Sequence, residues 1–224
     1  MTARWVIPLS IAAEVLPIVA AIAVRTGERA RRWIAIAFAV WLAQDLVLWW
    51  TSRHGLNNHW LIHFGNPITT VLFLGAYAEW TEDPVWRRAL RMAGVAYVLV
   101  WAGIFLSVED RHTFSQYTDP LKSLLLIFVC TWALIRTVAT EPPPVWRKAI
   151  YWVSIGLLVD FGTGLLLEPV SGRLARVQPS LVITAYVVKA GINVVAYLLV
   201  TVGMLCKPTP SSTGAFSSRP LSPS

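Results

Sequence analysis

Four ionisable side chains stand inside long apolar runs: Glu14, Asp45, Asp160 and Lys189. They are the residues of this chain best placed to do chemistry. An ionisable group at membrane depth is costly, and it persists where it faces a partner, a water-filled cavity or a ligand. Counted along their runs at ~1.5 Å per residue, all four fall in one layer, central to slightly outer. Three carboxyls and one ammonium at similar depth predict a buried polar cluster.

Helical phase extends the cluster. Tyr186, Lys189, Asn193 and Tyr197 share one face of the last run, and His63, Asn66, Thr70, Phe73 and Tyr77 form a comparable stripe in the third. In the second run Phe38, Trp41, Asp45 and Trp49 put indoles beside a carboxylate. In the sixth, Gly156, Asp160 and Thr163 share a face with little bulk, which permits close approach of a neighbouring helix. Ser10 precedes Glu14 by one turn. These faces are expected to converge on a cavity for a ligand or a proton, lined by Glu14, Asp45, Asn66, Thr70, Asp160, Tyr186, Lys189 and Asn193. The alternative is a self-satisfied network, in which Lys189 pairs with Asp160 or Asp45 and the remaining acids carry protons.

The histidines form a second constellation. His59 and His63 are spaced i, i+4 on one helical face, which suits two metal ligands but needs a third and a supporting shell. Asp119, Glu168 or His112 would have to supply it. Histidines bonded to water or backbone are the simpler reading, so no metal site is expected. The chain holds no nucleophile elbow, no zinc-protease helix, no phosphate loop and no dinucleotide fingerprint, so no catalytic residue is assigned and an enzyme is not expected. Cys130 lies inside an apolar run and Cys206 at the end of another, which reads as two free thiols.

The elements that must position these groups are apolar helices. Of the 224 residues, 56% are apolar and only 14% charged, against roughly 45–50% and 25% in soluble domains. The mean hydropathy is +0.58. Seven stretches are long enough to cross a bilayer: Trp5–Val24, Trp33–Trp50, Trp60–Trp80, Ala89–Val108, Pro120–Ala139, Trp146–Glu168 and Pro179–Cys206. The expected fold is an all-α membrane protein, a seven-transmembrane-helix bundle over residues 1–207. The first stretch is expected to be its first spanning helix, not a cleavable signal. Residues 208–224 are rich in Pro, Ser and Thr and are expected to form a disordered cytoplasmic tail.

The net charge of +7 does not point to nucleic acid, because the basic residues sit in short clusters between apolar runs. Those clusters alternate. The connections after the first, third, fifth and seventh runs hold Lys and Arg in roughly a two-to-one excess over the others, which predicts an outer N-terminus and a cytoplasmic C-terminus. The basic stretches Arg29–Trp33 and Trp86–Arg91 are expected to meet anionic lipid and a membrane or cytoplasmic signalling partner. One motif recurs: Thr81-Glu82-Asp83-Pro84-Val85-Trp86-Arg87-Arg88-Ala89-Leu90 returns as Thr140-Glu141, two prolines, then Pro144-Val145-Trp146-Arg147-Lys148-Ala149-Ile150. Both copies are expected to open a helix, since Pro suits a first turn.

Two resemblances bear on function. Seven helices with Lys189 mid-way along the last, followed by Ala190-Gly191, loosely resemble microbial rhodopsins. That would imply retinal bound to Lys189 as a Schiff base. The residues around it depart from that family: Ala185 stands where those proteins usually carry an aspartate. The third run reads Asn66-Pro67-Ile68-Thr69-Thr70 in place of an acid followed by Trp, and no Trp-x-x-Tyr-Pro occurs between Ser154 and Glu168. Over most of its length the chain resembles small seven-helix proteins found in many bacteria, through Asn57-Asn58-His59-Trp60-Leu61-Ile62-His63, Val145-Trp146-Arg147-Lys148 and Asn193-Val194-Val195-Ala196-Tyr197. The resemblance implies a multi-pass protein of the bacterial cytoplasmic membrane and brings no activity. The expected function is a non-enzymatic sensor or membrane-assembly subunit. The alternative is a secondary transporter using Asp45, Asp160 and Lys189, with helices interrupted at Pro17 and Pro67.

Overall fold

The structure, a computed structural model, describes residues 3–24, 27–109, 115–140 and 144–207, without the side chains of 3–5, 171–176 and 179. The described residues are all-helical. The helices are α1 (Ala3–Val24), α2 (Arg29–Arg53), α3 (His59–Trp80), α4 (Pro84–Ser107), α5 (Thr118–Thr140), α6 (Ala149–Val177) and α7 (Pro179–Leu205). All seven are long and apolar enough to span a membrane. The expected tail at 208–224, His112 and Glu141–Pro143 of the repeat lie outside the described residues.

Large apolar side chains point outward as well as inward. Ile22, Leu106 and Leu166 are 69%, 74% and 79% exposed, as suits helices long and apolar enough to span a membrane. In a bilayer, where lipid tails are as apolar as leucine, burial alone would give such helices little reason to associate; packing and interhelical hydrogen bonds would hold them. The tightest packing is between α6 and α7. A Cβ on Gly156 would lie 2.6 Å from the Ala196 carbonyl oxygen, and one on Gly203 would lie 2.8 Å from that of Ala149. The two glycines let the backbones touch at two levels.

Six helices close a ring in the order α1, α2, α3, α5, α6, α7, and α4 packs outside it, mainly on α3. Helix α3 is therefore the most enclosed. Its buried face carries His63, Asn66, Thr70, Phe73 and Tyr77, the stripe expected from its sequence. Tyr77 also ties three helices, meeting Ser154 Oγ at 2.9 Å and Cys130 Sγ at 3.1 Å. Cys130 and Cys206 are both free thiols.

Helix α3 runs unbroken through Pro67. Proline has no N–H, so the carbonyl one turn earlier, that of His63, loses its intrahelical donor. The indole of Trp101 on α4 donates to that oxygen at 3.0 Å. A neighbouring helix has thus replaced the missing bond.

The two copies of the repeated motif behave differently. Asp83 caps α4, its side chain accepting from the Val85 N–H at 2.8 Å with Pro84 in the first turn. The second copy has proline in place of that aspartate. Val145–Arg147 form only a 3-10 turn without a side-chain cap, and α6 begins later, at Ala149. A motif without its capping acceptor does not open an α-helix directly.

Two boundaries matter for the site. Helix α6 continues through Pro169 to Val177, beyond the expected end at Glu168, so Glu168 is a helical residue. Helix α2 begins at Arg29, which brings Arg31 inside the fold. Arg31 is 1% exposed; its Nη1 donates to the Met204 and Cys206 carbonyl oxygens at 2.9 and 2.6 Å, and it pairs with Glu28. Arg31 of this basic stretch is turned inward: it closes the C-terminus of α7, where free carbonyls favour a cation.

Candidate functional site

The six ring helices enclose a cavity of about 310 Å³. Its wall includes Ile7 near the start of α1, Leu48 near the end of α2, Ile62 near the start of α3 and Ser115 just before α5. It therefore occupies the half of the bundle that carries the N-terminus and the α2–α3, α4–α5 and α6–α7 connections.

Ser10 and Glu14 reach it from successive turns of α1. Trp41, Gln44 and Asp45 come from α2, and Asn66 from α3. Helix α5 supplies Asp119, Lys122 and Ser123. Helix α6 supplies Asp160, Phe161, Gly164 and Glu168, and α7 supplies Tyr186, Lys189, Asn193 and Tyr197. Of the residues expected from the sequence, Glu14, Asp45, Asn66, Asp160, Tyr186, Lys189 and Asn193 all share this wall. Thr70 does not; it lies one turn behind Asn66, wholly buried, and donates to the Asn66 carbonyl at 2.7 Å.

The partner of Lys189 differs from expectation. Neither Asp160 nor Asp45 takes its hydrogen bond. Lys189 Nζ donates to Glu168 Oε1 at 2.7 Å. The reason is the length of α6: because the helix passes through Pro169, Glu168 stays in register with the cavity. Gly164, one turn earlier, leaves room for it, since a Cβ there would lie 2.8 Å from Glu168 Oε1.

A second ammonium group lies across the cavity. Lys122 is 7% exposed, pairs with Asp119 one turn away, and donates to Asn66 Oδ1 at 2.8 Å. Asp119 thus serves as the partner of a buried lysine and not as a metal ligand beside the histidines. The i, i+3 spacing of Asp119 and Lys122 at the head of an apolar run was the signal available.

The inner end of the cavity is closed by aromatic rings. Trp41, Phe161 and Tyr197 face it, with Phe38 and Phe73 packed beneath. Trp41 lies 5.0 Å from Phe73 and 5.9 Å from Phe161 between ring centroids, and Phe38 lies 5.3 Å from Tyr197, edge-on. Tilted and edge-on ring contacts of this kind pack the floor closely. Trp49, expected on the same stripe as Trp41, faces outward, with the Arg53 guanidinium 4.0 Å above its ring.

Among the described residues, His59 and His63 gather no third metal ligand. His63 is fully buried, with Nδ1 3.4 Å from Glu109 Oε2. The proposed third ligands Asp119 and Glu168 are held by lysines, and no group of three His, Cys, Asp or Glu side chains among the described residues is placed to hold a metal ion. Glu109 is instead a brace at the cavity rim. It accepts from Ser115 Oγ at 2.8 Å and Thr118 Oγ1 at 2.7 Å. Burial alone would raise its pKa, but the hydrogen bonds from His63, Thr118, Ser115 and the Tyr117 N–H outweigh it and hold the carboxyl down to about 2.

No protein-family model, curated protein or solved structure matches this chain. The chemistry of the cavity has to rest on its own residues.

Proposed function

We propose that this multi-pass membrane protein binds a small polar solute in the cavity and acts as a non-enzymatic sensor or as a subunit of a membrane assembly. The carrying observation is the cavity itself: a chamber at the lower end of ligand-site volumes, lined by two lysines and five acids, with a closed aromatic floor. A core made for stability alone would bury hydrocarbon there. The cavity would open to the outer face of a bacterial cytoplasmic membrane, as the distribution of Lys and Arg supports. The apolar outer surface would contact lipid, and a solute-dependent change would pass to a protein partner through the basic stretch Trp86–Arg91.

The secondary-transporter reading has less support. Helices broken at Pro17 and Pro67 would favour it, and α1 and α3 run continuously through both. A retinal Schiff base at Lys189 suits the site least. A polyene needs an apolar sheath, and this wall carries five carboxyls, with the lysine already engaged by Glu168.

The test is solute-dependent thermal stabilisation of the purified protein in nanodiscs, across a panel of small cationic, zwitterionic, neutral and anionic solutes. A ligand that binds only the folded state raises the melting temperature. Ile62→Trp and Ala190→Phe fill the cavity from two sides. The expected result is a stabilising solute whose effect disappears in both variants. Stabilisation that persists undiminished in both would contradict the proposal.

A further inference from the structure

We infer that the solute is a small organic cation, an ammonium compound, held by Glu14, Asp45 and Asp160 above the aromatic floor. This rests on the cavity being a binding site and specifies its chemistry.

The charges on the wall are unbalanced. Both ammonium groups are engaged: Lys189 by Glu168, and Lys122 by Asp119 and Asn66. Three carboxyls remain, and among the described residues no Lys, Arg or His nitrogen lies within ion-pair distance of any of them. Asp160 is 7% exposed, faces the cavity, and its carboxylate has no hydrogen bond among the described residues. Glu14 is 2% exposed and also faces the cavity. It lies within hydrogen-bonding reach of Asp45, and its Oε2 has no hydrogen-bond partner among the described residues. A buried carboxylate without a donor or counter-charge is costly. A cation entering the cavity removes that cost at Asp160 and gives a counter-charge to the Glu14–Asp45 pair, whose hydrogen bond needs a proton on one of the two.

The other wall selects among cations. Trp41, Phe161 and Tyr197 lie beside these carboxyls, and aromatic faces attract ammonium groups, most strongly where water is excluded. A bare divalent ion gains nothing from such a floor, and the three acids are not gathered tightly enough to ligate one. The chamber of about 310 Å³ has the volume of about ten water molecules at ~30 Å³ each, which suits an amine of a few carbons. Among the described residues, an anion would meet carboxyls in excess and no ammonium group to spare.

Choline, butylamine, the neutral choline isostere 3,3-dimethyl-1-butanol, and propionate make the discriminating set, titrated against protein in nanodiscs. The expected result is binding of choline or butylamine, at least roughly tenfold weaker binding of the neutral isostere, and no binding of propionate. Asp160→Asn and Glu14→Gln should each weaken cation binding by roughly tenfold or more. Trp41→Leu should weaken choline binding while the variant still elutes as a monodisperse species and melts cooperatively. If the neutral isostere or propionate binds as well as the cations and Ile62→Trp abolishes it, the cavity remains a site and the cation inference falls. If no probe binds wild type, or all bind Ile62→Trp and Ala190→Phe as they bind wild type, both fall.

Discussion

Lys189 Nζ and Glu168 Oε1 lie 2.7 Å apart, joining α7 to α6 across the wall of the cavity. The side chains are 18% and 13% exposed, so the pair is largely buried yet touches the chamber. Removing one partner leaves a buried charge. Lys189→Met and Glu168→Gln should each cost about 2–3 kcal/mol, below the ~3–5 of a fully dry pair. The double variant should cost much less than the sum. A double-mutant cycle on thermal or denaturant unfolding measures this, and additive losses would mean that the two groups do not interact.

The Trp101–His63 hydrogen bond compensates for Pro67. Trp101→Phe keeps the aromatic packing on Phe64 and Phe105 but leaves the His63 carbonyl without a donor. A loss of about 1 kcal/mol is expected. Pro67→Ala in the same background should recover most of it, because the restored N–H supplies the intrahelical bond. Unfolding curves of the two variants check this.

Two glycines should respond oppositely to the same change. Gly156→Ala drives a Cβ into the Ala196 carbonyl and should destabilise by about 1–3 kcal/mol. Gly103 on α4 has open space where a Cβ would go. Gly103→Ala should be neutral or stabilising by up to about 1 kcal/mol, through helix propensity. Melting temperatures of the pair, measured side by side, decide it.

Glu109 predicts an acid limb. Its pKa falls from an ordinary 4.5 to about 2 in the folded protein. The stabilisation it brings is therefore complete above pH ~4.5 and is lost as pH falls from there through about 2. In Glu109→Gln that loss should be absent, so melting temperature should fall less steeply between pH 5 and pH 3 than in wild type. Parallel acid limbs would contradict the assignment.

The architecture was largely legible because hydrocarbon imposes one rule, long apolar helices, and the seven runs obey it. The cluster was legible where a charge interrupted an apolar run: Glu14, Asp45, Asp160 and Lys189 declare themselves in that way. Lys122, Asp119 and Glu168 did not, because each sits near the end of a run, where a charge is ordinary. Glu168 was hidden further by Pro169, since the residue before proline is biased away from helix, and here the helix continues. The buried Arg31 was hidden among other basic residues; only the arrival of α7's C-terminus beside it sets it apart. Thr70 is placed one turn behind the wall. It shares helical phase with Asn66, but the wall of the cavity is narrower than the polar stripe on α3.

The most direct test of the binding cavity is a density map of protein purified from its native membrane and held in nanodiscs. Density not belonging to the protein should lie between Asp160, Glu14 and the Trp41 ring, with Lys189 still on Glu168. A closed chamber holding no such density, with Asp160 or Asp45 turned onto Lys189 or Lys122, would contradict the account and leave the cluster a structural network.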